Sequence, residues 1–87
     1  MADYIVTFYS HFGAMRFKKE LEAFSVPVSL MPVPRFLSSS CGTCAAFSAT
    51  VPDNGALPFT VTHPDEIEQI VKMTGEDTFV TVDMPDV

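Results

Sequence analysis

The 87 residues, 47% of them hydrophobic, suffice for one compact domain with a small core and are too few for a second, so residues 1–87 are expected to form a single domain. Five Lys and Arg against eleven Asp and Glu leave a formal charge of −6, and without a basic stripe no nucleic-acid partner is expected. No apolar run approaches the roughly 18 residues of a membrane span, and Met1-Ala2-Asp3-Tyr4 has neither the basic nor the apolar region of a signal peptide, so the expected location is cytoplasmic, with no membrane partner.

Along the chain, residues 3–9 read as a strand buried on both faces, because Tyr4-Ile5-Val6-Thr7-Phe8-Tyr9 is a nearly unbroken β-branched and aromatic run. Ser10 can cap a following helix, in which Ala14, Phe17, Leu21 and Phe24 recur at helical spacing and Arg16, Lys18, Lys19, Glu20 and Glu22 take the wetter face. Val28-Ser29-Leu30-Met31 forms a short second strand. Pro27 marks it as an edge, and Pro32 and Pro34 are expected to terminate it. From 44 to 51, Ala45, Phe47, Ala49 and Val51 alternate with Ala46, Ser48 and Thr50, the pattern of a half-buried strand, and Pro52-Asp53-Asn54-Gly55 follows as a turn.

Residues 62–75 carry the signals of a second helix. Thr62 or His63 would cap it, Pro64 lies in its first turn, Asp65 and Glu66 sit at the positive dipole end, Ile67, Ile70, Val71 and Thr74 make an inner face, and Gly75 closes it. Thr78-Phe79-Val80-Thr81-Val82 is then a last strand, and Leu57 to Val61 is a weaker strand candidate. The order β-α-β-β-α-β predicts an α+β fold: a ferredoxin-like sandwich with two helices on one face of a four-stranded antiparallel sheet.

The chemistry concentrates between the second and third strands, in Pro32-Val33-Pro34-Arg35-Phe36-Leu37-Ser38-Ser39-Ser40-Cys41-Gly42-Thr43-Cys44. An ordered loop of this kind, mounted on strand ends, commonly carries function. Ser38, Ser39 and Ser40 offer hydroxyls and N–H groups to an anion, and Gly42 permits positive φ or close approach to a ligand. Cys41 is the candidate reactive thiol. Arg35, the cation of the segment, is placed to favour its thiolate or hold an attached anion, and Cys44 is close enough to resolve a mixed disulfide. Each feature also has a plainer reading: cysteine is a small buried hydrophobe, Arg35 a surface charge, the serines a solvated loop, and Pro34 a strand stop. Their density within one segment favours function.

Met31-Pro32-Val33-Pro34-Arg35-Phe36-Leu37-Ser38-Ser39-Ser40-Cys41-Gly42 resembles the signature of the selenium/sulfur carrier-like family of very small bacterial and archaeal proteins. The opening strand, the first helix and the short strand after Pro27 are similar as well. The resemblance implies that Cys41 carries sulfur or selenium as a persulfide or selenosulfide. It further implies a donor protein of cysteine desulfurase type and an acceptor protein as partners, with no cofactor. Cys44 lies outside the family's characteristic cysteine, so its partnership with Cys41 rests on spacing alone. No general base is assigned, and the chain reads as a carrier more than as a complete enzyme.

A copper- or zinc-binding C-x-x-C module is the first alternative. Heavy-metal-associated domains, however, carry the pair after the first strand, where this chain has Tyr9-Ser10-His11-Phe12, and His11 and His63 lack zinc-finger spacing. Both histidines read as capping or solvated groups. A thioredoxin-type site would need the pair at a helix start, whereas a strand is expected after Cys44. The remaining alternative is a noncatalytic interaction domain using Phe36, Leu37 and the edge strand.

Overall fold

The computed structural model describes residues 2–37, 41–49 and 63–82. β1 (Ala2–Phe8) is the central strand of a five-stranded sheet. Its apolar run is divided between two faces: Tyr4, Val6 and Phe8 belong to one buried cluster and Ile5 to the other. α1 (His11–Ala23) follows, begun by Ser10, whose side chain accepts from the Gly13 N–H at 3.3 Å. Ala14, Phe17 and Leu21 are buried as the helical spacing predicts, whereas Phe24, the C-terminal cap, is exposed.

The helix stops through a Schellman arrangement without glycine. Ser25 has φ 64°, its N–H donates to the Glu22 carbonyl at 3.0 Å, and the Val26 N–H donates to Leu21 at 3.0 Å. Val26 then packs on the cluster that contains Leu21, the apolar contact that usually accompanies this cap.

β2 (Ser29–Pro32) lies at one edge of the sheet, as Pro27 suggested. Pro32 does not end the strand but belongs to it. Amide bonds alternate in direction along an antiparallel pair, and the Val33 N–H donates to Gly42 at 3.1 Å, so the Pro32 nitrogen faces away from the ladder and its missing N–H costs nothing there. β2 pairs with β3 (Thr43–Ala49), which pairs with β1 in turn, so β1-α1-β2 is a crossover that spans one intervening strand. α1 covers this half of the sheet, packing on β1, β2 and β3.

The expected second helix is not formed. One 3-10 turn, Pro64–Glu66, leads directly into β4 (Ile67–Met73), which pairs antiparallel with β1 on the side away from β3, and β5 (Phe79–Val82) adds to the far edge. The sheet order is therefore β2-β3-β1-β4-β5, an α+β fold with, among the described residues, five antiparallel strands and one α-helix. The expectation of four strands and two helices is corrected on both counts, although β4-β1-β3-β2 keeps the neighbour order of a split βαβ frame.

The misleading signal has a physical origin. β1 and β4 slip register between Thr7 and Phe8: Thr7 faces Gln69 while Phe8 faces Ile67, leaving Glu68 as the extra residue of a bulge. The bulge returns Ile67 and Ile70 to the same face, and Val71 is buried on the opposite one. Apolar residues at i, i+3 and i+4 thus arise from a bulged strand buried on both faces and mimic a helical stripe. The turn expected at 52–55 and the strand candidate at 57–61 lie outside the described residues.

Candidate functional site

Antiparallel pairing gathers the end of β1, the end of β2 and the starts of β3 and β4 at one end of the sheet, with register partners Thr7 and Cys44, Pro32 and Thr43, and Phe8 and Ile67. The loop after β2 begins with a turn closed by the Leu37 N–H on the Pro34 carbonyl at 3.0 Å, and Arg35 is exposed on that turn. The chain then crosses the face of the sheet opposite α1. Leu37 is buried with Ile5, Cys44 and Val71, and the Phe36 ring lies 5.8 Å from that of Phe79 on β5. Phe36 and Leu37, read from sequence as docking groups, are therefore turned inward and anchor the loop. Ser38, Ser39 and Ser40 lie outside the described residues.

Cys41 and Cys44, both thiols, sit on different sides of the sheet. Cys41 immediately precedes β3, is half-buried, packs against the α1-side cluster, and its Sγ donates to the Thr43 carbonyl at 3.3 Å. Cys44 is 0% exposed in the opposite cluster, its Sγ directed at the Pro32 carbonyl at 3.8 Å. Burial pushes the Cys44 thiol up from its ordinary value of 9.0, and the nearby Cys41 acts in the same direction. A thiol that is hard to reach and hard to ionise is a poor nucleophile.

Gly42, between them, has φ 76°. A Cβ there would meet no atom within 4 Å, so glycine is required by the backbone angle and not by crowding. That angle turns the chain between the Cys41 position and the first residue of β3.

The structure brings to this end a residue that sequence reasoning set aside. His11, first residue of α1, shares a hydrogen bond between its Nδ1 and the Thr43 Oγ1 at 3.4 Å. Thirty-two positions separate the two, and no local pattern could pair them; the β1–β3 register does so. His63 is likewise engaged, its Nε2 lying 3.2 Å from Glu20 Oε1 and 3.3 Å from Arg16 Nη1, while Arg16 also pairs with Glu66 at 2.8 Å. These contacts fasten the turn before β4 to α1. Tyr9 and Phe12, near His11 along the chain, are 58% and 65% exposed.

Among the described residues, no group of three or more His, Cys, Asp or Glu side chains is arranged to hold a metal ion, and no helix is long and apolar enough to cross a membrane.

Fold and site together define a small α+β protein with one half-buried thiol at a sheet end and a second thiol locked in its core. The chain belongs to the family described as Putative Se/S carrier protein-like, which matches residues 3–53. The matched span takes in β1, α1, β2, the cysteine loop and β3, and leaves β4 and β5 outside. No curated protein and no solved structure matches the chain.

Proposed function

We propose that the chain is a thiol carrier that accepts sulfur or selenium on Cys41 and delivers it to an acceptor protein. The observation that carries the reading is the contrast between the two thiols: Cys41 is half-buried at the sheet end, whereas Cys44 is fully buried with its ionisation disfavoured. Membership of the carrier family supports the same assignment. In this reading Cys44 packs the back of the sheet and takes little part in exchange. Gly42 and Pro34 shape the loop, and Arg35 with Ser38, Ser39 and Ser40 provides donors for the anionic terminal atom.

Loading is a displacement at sulfur. The Cys41 thiolate attacks the outer sulfur of a donor cysteine persulfide, a new S–S bond forms on Cys41, and the donor's S–S bond breaks. The donor leaves as a thiolate and takes up the proton that Cys41 gave to solvent, so one thiol and one persulfide become one persulfide and one thiol. Cys41 is oxidised as the donor cysteine is reduced, and no further oxidant is required. A selenosulfide forms by the same balance when the transferred atom is selenium. Delivery reverses the roles, with Cys41 as the leaving group.

A carrier must dock both its donor and its acceptor, and the exposed rings of Tyr9 and Phe12, at the turn from β1 into α1, are surface of the kind that partners cover. The test is to incubate the reduced protein with a cysteine desulfurase and cysteine and then to measure intact mass. Wild type and Cys44→Ala are expected to gain sulfur, and Cys41→Ser is not. Sulfur retained by Cys41→Ser, or a protein that purifies with a metal requiring both cysteines and accepts no sulfur, would overturn the carrier reading.

A further inference from the structure

Cys41 belongs to neither a helix nor a strand, so the direction of its sulfur depends on what the flanking backbone is fastened to. Its Sγ bonds to the carbonyl of Thr43, two residues on, and that bond orients the thiol only as well as Thr43 is itself held. The Thr43 side chain is held from α1, by the imidazole of His11 at 3.4 Å. Two hydrogen bonds therefore meet on one residue, the thiol on its carbonyl and the histidine on its hydroxyl.

We propose that His11 is a positioning residue for the Cys41 sulfur, acting through Thr43. The proposal rests on Cys41 being the carrying thiol and adds the device that aims it. Displacement at sulfur is directional: attacking, transferred and leaving sulfur atoms must approach a line, and a nucleophile that wanders loses rate even when its chemistry is intact. His11 is exposed and Ser10 already caps α1, so the helix start does not depend on the imidazole. Thr43 is the first residue of β3, where a strand end without a side-chain tether frays most readily. The Val33 N–H bond to Gly42 holds this end to β2, and the His11–Thr43 bond joins it in addition to the beginning of the helix, two residues from Cys41. Either ring tautomer serves, because the threonine hydroxyl both donates and accepts.

The experiment measures alkylation of Cys41 by iodoacetamide at neutral pH, with the modified cysteine identified by peptide mass, in the full chain. The proteins compared are wild type, His11→Ala, His11→Gln, Thr43→Val and the His11→Ala/Thr43→Val pair. Loss of one orienting hydrogen bond is expected to slow alkylation about tenfold in His11→Ala and in Thr43→Val. His11→Gln, which can still bond the hydroxyl, restores most of the rate, and the double variant is no slower than either single one. The unfolding midpoints stay close to wild type, so a general loosening of the fold would not reproduce the pattern. Should His11→Ala fail to fold, the isosteric Thr43→Val carries the comparison. Wild-type rates in the single variants, or effects of His11→Ala and Thr43→Val that simply add, would overturn the proposal. Alkylation needs no sulfur donor, so failure of the carrier reading, seen as sulfur loading on Cys41→Ser, is scored separately.

Discussion

Replacing Cys44 by alanine tests the division of labour between the two thiols through the pH dependence of stability. Cys44 is fully enclosed by Ile5, Leu37 and Val71, so removing its sulfur leaves a small void and costs about 1–2 kcal/mol at pH 7, the range of small deletions in a core. Burial first, and Cys41 second, raise its folded-state value above the ordinary 9.0. Above pH 9 the unfolded chain therefore releases a proton that the folded chain still holds, and mass action favours unfolding. The Cys44 contribution is complete below the unfolded value and is lost as pH rises through the folded one, at up to about 1.4 kcal/mol per pH unit. Urea unfolding of wild type and Cys44→Ala between pH 7 and 10.5 measures this, because the lysines and tyrosines common to both proteins cancel in the difference. The wild-type advantage is expected to shrink steadily above pH 9. An advantage that stays constant across the range would refute the reasoning, since it would mean that the thiol ionises as readily in the fold as outside it.

Thr7 is buried in the central strand and its Oγ1 has no hydrogen-bond partner among the described residues, so Thr7→Val, which keeps the shape, is expected to leave stability unchanged or raise it by about 1 kcal/mol in a denaturant titration. Ser25 holds φ 64° at the end of α1, and Ser25→Gly should raise the unfolding midpoint by an amount equivalent to about 1 kcal/mol, with no effect on Cys41 alkylation. Ile70→Ala, in the strand that sequence reads as a helix, should destabilise by about 2–5 kcal/mol because Ile70 is fully buried in the cluster that contains Val6, Phe17 and Leu21. An increase in helical circular dichroism in that variant would contradict the strand assignment.

β1, α1, the edge position of β2 and β3 were readable because their signals are local and agree with one another. An aromatic and β-branched run made β1, Ser10 with three apolar positions made α1, and Pro27 marked an edge. The burial of Cys44 was not legible, since by alternation it shares a face with Ala46 and Ser48, and it is packing with Ile5, Leu37 and Val71 that covers it. Sequence failed at 62–75, where helix and bulged strand share one apolar pattern; the unpaired flank of β1 decides between them, because Ile67–Met73 satisfies that flank's backbone groups and a helix could not. His11 is exposed at the helix start, as a solvated group was expected to be, but its bond to Thr43 was not legible. The chemistry of the loop is written in its own residues, but what aims the thiol depends on which strand lies beside which. Hydrogen-bonded register, a property of the assembled sheet, sets His11 against Thr43 and sends Cys41 and Cys44 to opposite faces.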